Sequence, residues 1–160
     1  MKKLILVRHS QAEIDNTSTD FERNLTEYGK QTAALIAKEI VKKLVSTELI
    51  ISSPANRAKQ TAEIFAREQN YPIEKITENN ILYSGFTTID LLNMLSKIDN
   101  NHNCIMIISH NPDLSTIANN FLNGGFVNFK PSTTVGIEFN VNDWKKVKAR
   151  EGELFLFEQV

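Results

Sequence analysis

Two apolar runs decide the fold of this chain, Leu4-Ile-Leu-Val-Arg-His9 and Cys104-Ile-Met-Ile-Ile-Ser-His110. Continuous apolar runs of this length are typical of strands that are buried on both faces, as in a parallel sheet. Ligands of open α/β sheets collect outside the carboxyl ends of such strands. We therefore expect Arg8, His9 and His110 to lie together at one edge of a sheet.

The rest of the chain alternates between helical and strand-like patterns. Apolar residues at helical spacing predict helices at residues 27–45, 54–69, 87–99 and 112–122. Strands are predicted at residues 3–8, 48–52, 104–109, 135–141 and 153–157, with a weak strand after Pro72. This order favours a three-layer α/β/α fold with a mostly parallel central sheet and an antiparallel margin, where we expect the last two strands. Because 160 residues fit one domain, residues 1–160 are treated as a single domain.

The composition excludes several kinds of partner. The net charge of −1 and the pI of about 6.3 give no basic field of the kind that nucleic-acid or membrane-surface binders carry. No apolar run approaches the ~18 residues that a membrane span needs, and the apolar run before Arg8 is too short for a signal peptide. The single cysteine, Cys104, is predicted to be an inert buried thiol, which fits a reducing compartment. We therefore expect a cytoplasmic protein with no nucleic-acid or membrane partner.

His9 has the chemistry of a nucleophile for phosphoryl transfer. A neutral imidazole can attack phosphorus and form a phosphohistidine, which divides one difficult step into two easier ones. The protein otherwise supplies placement and neutralises the charge on the phosphoryl oxygens. Arg8 would disfavour protonation of His9 and offers a fork for those oxygens. The alternative is a partly buried histidine that hydrogen-bonds to a loop carbonyl.

Arg57 and His110 both lie beside predicted helix starts. Ser53 and Pro54 suit the cap and the first position of a helix, which places Arg57 in or just after its first turn. A cation there opposes the helix dipole by ~0.3–1 kcal/mol, and helix N-termini bind anions, so Arg57 is a candidate phosphate ligand. The helix predicted after His110 disfavours the imidazolium form, which suits a donor to phosphoryl oxygens. The alternatives are a surface arginine and a capping or core histidine.

A metal site is the rival interpretation of the same residues. His9, His110 and Asp113 could together suggest a metallophosphatase. However, no carboxylate cluster accompanies them in the sequence, and two arginines would repel a divalent cation. We therefore predict that the site binds no metal ion.

Four separated segments resemble the histidine phosphatase superfamily. In chain order they are Leu6-Val-Arg-His-Ser10, Asp20-Phe-Glu-Arg-Asn-Leu-Thr-Glu-Tyr-Gly29, Ser52-Ser-Pro-Ala-Asn-Arg-Ala-Lys-Gln-Thr-Ala62 and Ser109-His-Asn-Pro112. The chain most resembles the short, SixA-like phosphohistidine phosphatases. Four motifs in the right order are far more specific than any one of them.

The resemblance implies a role for each matching residue. His9 would accept the phosphoryl group, and Arg8, Arg57 and His110 would bind its oxygens. Arg23 matches a family position that often points into the same pocket, which makes it a candidate substrate-binding residue. The resemblance also implies a central sheet with helices on both sides, and neither a metal nor an organic cofactor.

Two departures from the family pattern bear on the substrate. Ser10 stands where many relatives have glycine, and we expect its hydroxyl to donate to the bound ligand. Asn80 stands where the mutase and sugar-phosphatase branches place an acidic proton donor, with Glu78 as the nearest carboxylate. An alkoxide leaves poorly without an acid, whereas a phosphorylated imidazole can be protonated on its far nitrogen, near a pKa of ~6.5. The missing acid favours phosphoramidates over sugar phosphates, unless Glu78 or Asp90 reaches the site.

These features favour a phosphohistidine phosphatase that acts on a phosphorylated protein, such as a phosphotransfer domain of a signalling relay. The first alternative is a phosphomonoesterase of the same fold, whose partner is a small phosphate ester and whose acid is Glu78. The second alternative is a phosphate-recognising adaptor without turnover. The presence of both histidines and both core arginines argues against the adaptor.

Overall fold

The computed structural model describes residues 1–14 and 17–160, and a central sheet organises them. Its strands are β1 (Lys2–Arg8), β2 (Leu49–Ser52), β3 (Thr77–Glu78), β4 (Cys104–Ser109), β5 (Thr134–Phe139) and β6 (Glu153–Glu158). Their order across the sheet is β3-β2-β4-β1-β5-β6. The first four of these strands pair in parallel, and β5 and β6 continue the sheet beyond β1 as an antiparallel margin. The predicted sheet, mostly parallel with an antiparallel margin, is confirmed.

Helices cover both faces of this sheet. They are α1 (Glu27–Lys42), α2 (Asn56–Glu68), α3 (Ile81–Ser84), α4 (Thr88–Leu95) and α5 (Asp113–Phe121). The apolar side chains of α1 and α2 share one buried cluster with the sheet, and those of α4 and α5 share another. The predicted three-layer α/β/α architecture is therefore confirmed.

The side chains of β1 divide between the two layers. Leu4 and Leu6 belong to the cluster with α4 and α5, whereas Ile5 and Val7 belong to the cluster with α1 and α2. All four are fully buried. Successive residues of a strand point to opposite faces of the sheet, so a strand covered on both sides needs an unbroken apolar run. This is the physical origin of the apolar runs in the sequence.

Helix starts agree with the sequence in one case and differ in another. Thr26 caps α1 as predicted, since its Oγ1 accepts from the amide of Gly29 at 2.9 Å. The next helix begins at Asn56 rather than Pro54, and the hydroxyl of Ser53 does not cap it.

No helix in the described part of the chain has the length and apolar character to cross a membrane. Cys104 is buried as predicted, and its burial raises the pKa of the thiol to about 12.

Candidate active site

The carboxyl ends of β1, β4 and β2 bring the two predicted histidines together. The amide of His9 donates to the carbonyl of Ser109 at 3.1 Å, and the amide of Ser53 donates to the carbonyl of Ile108 at 2.9 Å. These bonds continue the parallel ladders by one residue beyond the strands. The ring centroids of His9 and His110 are 5.1 Å apart. Both rings therefore lie at the sheet edge that the sequence predicted.

Two contacts fix the ring of His9 and the position of its proton. Nδ1 lies 2.7 Å from the carbonyl oxygen of Ser10. Because a carbonyl oxygen can only accept, we assign the proton to Nδ1 and the lone pair to Nε2. Nε of Arg57 donates to this Nε2 at 3.3 Å. The unprotonated nitrogen of His9 thus faces a guanidinium.

Ser10 corrects a prediction, because its hydroxyl is engaged inside the protein. Oγ donates to the carbonyl of Gly29 at 2.6 Å, lies 2.9 Å from Oγ1 of Thr32 and accepts from Oγ of Ser132 at 2.6 Å. The residue is fully buried. Gly29 permits this packing, since a Cβ there would lie 2.2 Å from the carbonyl oxygen of Gln11. The hydroxyl of Ser10 therefore holds a strand–helix junction and does not donate to a ligand.

Arg57 is the second residue of α2 and is only 6% exposed. Its carbonyl accepts from Oγ1 of Thr61 at 2.7 Å, and the same Oγ1 accepts from the amide of Ser10 at 3.0 Å. Thr61 thus ties the first turn of α2 to the residue that holds His9. The first turn contains no acidic residue, so the helix itself provides no counter-charge for the buried guanidinium.

Two donor nitrogens of Arg8 differ in their partners. Nη1 donates to the carbonyl of Phe129 at 2.9 Å. The same carbonyl accepts from Nδ2 of Asn111 at 2.9 Å, which fixes its position. Nε of Arg8 is buried and has no hydrogen-bond partner among the described residues. A buried donor without an acceptor costs ~1–3 kcal/mol, so this Nε is a place where an acceptor on a ligand would be favourable.

Ser53 orients His110. Oγ of Ser53 accepts from the amide of Ala55 at 3.3 Å and lies 2.7 Å from Nε2 of His110. The hydroxyl proton is then available for Nε2, so we assign the proton of this imidazole to Nδ1. Nδ1 is buried and lacks a partner within residues 1–14 and 17–160. His110 therefore offers a second N–H whose acceptor a bound anion would supply.

Burial keeps both imidazoles neutral. It lowers the pKa of His9 to about 3 and the pKa of His110 to about 4. Desolvation is the largest cause for each ring. For His9 the carbonyl of Ser10 opposes the shift, while the charges of nearby arginines add to it. At neutral pH the lone pair on Nε2 of His9 is therefore free of a proton.

Asp20 joins three donors at the rim of the site. Oδ1 accepts from Nε and Nη2 of Arg23 at 3.2 and 2.9 Å. Oδ2 accepts from Nη2 of Arg57 at 3.1 Å and from Oη of Tyr83 at 3.0 Å. Partial desolvation raises the pKa of Asp20, but these hydrogen bonds and the charge of Arg57 outweigh it and lower the pKa to about 2. Arg23, predicted to point into the pocket, lies at its rim and is linked to Arg57 through Asp20.

An aromatic row extends from His110 towards the surface. The rings of His110 and Tyr83 meet at 5.7 Å between centroids, and those of Tyr83 and Phe21 meet at 5.1 Å, both edge to face. Such contacts stabilise aromatic pairs beyond the area they bury. Phe21 is 38% exposed and forms the outer end of the row. His110, Tyr83 and Phe21 therefore form an aromatic surface along one side of the site.

The carboxylates that the sequence offered as acids or metal ligands are engaged elsewhere. Glu78 forms a half-exposed ion pair with Lys59 at 3.3 Å. Oδ2 of Asp90 accepts from the amide of Thr87 at 2.8 Å and so caps α4. Asp113 accepts from a backbone amide at 3.3 Å. In the part of the chain that the structure describes, no three His, Cys, Asp or Glu side chains come together as a metal-binding group.

Three residues of the site were not predicted to belong to it. Asp20 and Ser53 lie inside segments that carry the family resemblance, and Tyr83 lies in the segment that departs from it. Ser53 before a proline fits a helix cap equally well. The contact of Asp20 with Arg57 spans 37 residues and depends on the fold of the intervening loop and helix.

The amino-terminal part of the chain matches a known family. The model of the histidine phosphatase superfamily (branch 1) matches residues 4–79. An uncharacterized chloroplast protein of Arabidopsis thaliana is 26% identical over 163 residues, which cover 94% of this chain and 72% of that protein. The mitochondrial serine/threonine-protein phosphatase Pgam5 of Drosophila persimilis is 30% identical over 84 residues, which cover 52% of this chain and 29% of that protein.

Solved structures share the fold over nearly the whole chain. The protein histidine phosphatase SixA, in a complex with tungstate, has a TM-score of 0.82 at 22% identity, covering 97% of this chain and 95% of that chain. The mycobacterial glucosyl-3-phosphoglycerate phosphatase has a TM-score of 0.69 at 12% identity, covering 97% of this chain and 98% of that chain. At these identities the likeness establishes the common fold.

Proposed function

We propose that this chain is a histidine phosphatase of the superfamily whose model matches residues 4–79, and that it hydrolyses phosphohistidine on a protein by way of a phosphorylated His9. The substrate would be a phosphotransfer protein of a signalling relay, in the cytoplasm. The proposed catalytic residues are His9, Arg8, Arg57 and His110, with Arg23 at the rim. The reaction would need neither a metal ion nor an organic cofactor.

The two contacts of the His9 ring are the observation that carries this proposal. The bond from Nδ1 to the carbonyl of Ser10 would by itself fit a structural histidine. Nε2, however, is unprotonated, and its neighbour is the guanidinium of Arg57. The lowered pKa, about 3, means that no proton has to leave before Nε2 attacks phosphorus at neutral pH. These features support a nucleophile.

The proposed reaction has two displacements at phosphorus. In the first, Nε2 of His9 forms a bond to phosphorus while the bond to the substrate imidazole breaks. The departing ring takes the electron pair of that bond and keeps the proton on its other nitrogen, so it leaves as a neutral imidazole. In the second, a water oxygen bonds to phosphorus and the bond to Nε2 breaks. Dihydrogen phosphate leaves with both water protons, and His9 regains its lone pair.

Three N–H donors are available to the phosphoryl oxygens. Nε of Arg57 lies beside the reactive nitrogen, and the buried Nε of Arg8 and Nδ1 of His110 lack acceptors among the described residues. Charge-assisted donors of this kind stabilise the charge that develops in phosphoryl transfer. Guanidinium and N–H groups suit an oxyanion and repel a divalent cation, which supports chemistry without a metal. SixA, a protein of the same fold, binds the oxyanion tungstate.

The carboxylate at the rim supports a phosphoramidate substrate. With a pKa of about 2, Asp20 is ionised at neutral pH and has no proton to donate to a leaving alkoxide. A phosphorylated imidazole carries its own proton on the far nitrogen, near a pKa of ~6.5, and leaves without such help. This chemistry favours phosphohistidine over alkyl phosphates.

The test compares a phosphohistidine-bearing phosphotransfer domain with a panel of phosphate monoesters. We expect kcat/KM to be at least ~10-fold higher for phosphohistidine, and His9→Gln to lose activity by more than ~10³-fold. His102→Gln, at the one histidine of the sequence outside the proposed catalytic residues, is the matched control and should keep activity. Preference for the monoesters would reject the substrate class. Tight phosphopeptide binding without turnover would instead indicate an adaptor.

A small-molecule phosphomonoesterase is the second candidate, because the mycobacterial glucosyl-3-phosphoglycerate phosphatase shares the fold. That reaction needs a general acid, and Glu78 is the acid that the sequence offers. Glu78→Gln should then lower kcat on alkyl phosphates by ~10²-fold. The half-exposed ion pair of Glu78 with Lys59 favours no effect. Glu63→Gln, which also removes a surface carboxylate of an ion pair, is the control.

A further inference from the structure

Asp20 contacts Arg57 through both its main chain and its side chain. Nη1 of Arg57 donates to the carbonyl of Asp20 at 2.7 Å, and Nη2 donates to Oδ2 at 3.1 Å. A guanidinium is a rigid planar fork, so two bonds to its Nη edge fix the rotation of the whole group. With the Nη edge held in this way, the Nε donor points at Nε2 of His9. One residue of the rim thus determines how Arg57 faces the nucleophile.

The carboxylate of Asp20 is itself held from two sides. Arg23 binds Oδ1 with two nitrogens, and Tyr83 binds Oδ2 through its hydroxyl. The side chain of Asp20 is itself 55% exposed. Its partner Arg57, in contrast, is buried at the positive end of a helix. Asp20 therefore supplies this buried guanidinium with two acceptors that fix its orientation.

We propose that Asp20 is a positioning residue for phosphoryl transfer, which acts by holding the Nη edge of Arg57 so that Nε faces the reacting nitrogen of His9. This inference rests on the proposed function. It assigns no proton transfer to Asp20, whose carboxylate remains ionised throughout. Arg23 and Tyr83 hold the carboxylate in place, and the effect on the reaction passes through Arg57.

A double-mutant cycle in the full chain tests this route. Asp20→Ala should lower kcat by ~10–100-fold with a smaller change in KM, because small misplacements of a catalytic group cost about this much. In an Arg57→Ala background, adding Asp20→Ala should change kcat by less than ~2-fold, since the group that Asp20 orients is gone. In an Arg23→Ala background the cost of Asp20→Ala should persist. Asp20→Asn keeps an oxygen for Arg57 and should fall between Asp20→Ala and the wild type.

The controls separate failure of this inference from failure of the proposed function. Asp99→Ala removes a loop carboxylate that accepts from the amide of Asn101, and it should leave kcat unchanged. Full activity of Asp20→Ala would overturn the inference, as would an equal cost in the wild-type and Arg57→Ala backgrounds. The rate at which label reaches His9, followed by quenching in alkaline denaturant, should fall together with kcat in Asp20→Ala. Absence of label on His9 in the wild type would overturn the proposed function and this inference together.

Discussion

Oγ of Ser53 lies 2.7 Å from Nε2 of His110, and the two residues follow neighbouring parallel strands. The amide of Ala55 already donates to this Oγ, so the hydroxyl proton is free for the imidazole. This contact, made by a serine that resembles a helix cap, is the basis on which we assign the proton of His110 to Nδ1. His110 then has its N–H group at Nδ1, for which the described residues supply no acceptor.

Replacement of Ser53 by alanine should release His110. The imidazole could then exchange tautomers, and a fraction of the molecules would lose the Nδ1 donor. We expect kcat to fall by ~10-fold or more while the melting temperature falls by only a few degrees, as for a lost buried hydrogen bond. Steady-state kinetics with thermal melting checks this. Ser96→Ala removes a hydroxyl that donates to a carbonyl at the end of α4 and should leave kcat unaltered.

Arg8→Lys should weaken oxyanion binding. Lysine carries a point charge in place of the fork, so it cannot bond both the carbonyl of Phe129 and a ligand as the guanidinium can. We expect tungstate to inhibit this variant ~10-fold less strongly than the wild type, as measured by its inhibition constant. Arg67→Lys, in an exposed ion pair on α2, is the matched control. Equal inhibition of Arg8→Lys and the wild type would remove Arg8 from the anion site.

Stability should fall on mild acidification because of the two buried histidines. Their pKa values, about 3 for His9 and about 4 for His110, lie below the ~6.5 of an unfolded histidine. Between these values the unfolded chain binds more protons, so the free energy of unfolding rises with pH and is lost as pH falls below ~6.5. Each histidine should contribute up to ~2 kcal/mol of loss between pH 7.5 and 5.0.

Urea unfolding at those two pH values measures the effect. In His9→Gln the loss should shrink by about half, because one of the two titrating rings is gone. A free energy of unfolding with the same pH dependence in this variant and the wild type would show that His9 is not held neutral by the fold.

Lys2, at the opposite end of β1 from Arg8, should be important for stability. Its Nζ donates to the carbonyls of Asn100 and His102 at 2.6 and 3.0 Å and to Oδ1 of Asn103 at 3.0 Å, and the residue is 1% exposed. Lys2→Met would leave three acceptors without this donor and should cost ~2–4 kcal/mol, or roughly 5–15 °C in Tm. Calorimetry should show little change for Lys3→Met, whose ammonium lies over the ring of Phe155, 5.0 Å from its centroid.

The sequence predicts those parts of the site that follow directly from strands. Arg8, His9 and His110 end apolar runs, and a buried parallel strand permits few other patterns. Their meeting at one sheet edge follows from the parallel order alone. The sequence predicts Arg57 as a phosphate ligand because a cation in the first turn of a helix opposes the helix dipole.

The remaining parts of the site depend on tertiary packing, which local sequence patterns do not predict. Whether the hydroxyl of Ser10 faces a ligand or the interior depends on how closely α1 packs against Ser10. Gly29 allows the closer packing. The contact between Asp20 and Arg57 forms only when residues 20–22, which are distant from α2 in sequence, pack against that helix. Residues that belong to the site through such long-range contacts can be identified only from the folded structure.

The most direct test of the central claim is a rapid quench of the enzyme, reacting with a radiolabelled phosphohistidine donor, in alkaline denaturant. We predict one acid-labile, base-stable phosphoryl group per chain, located on His9 and absent from His9→Gln, with His102→Gln labelled like the wild type. Turnover of the donor without label on His9, or label on another residue, would contradict the account.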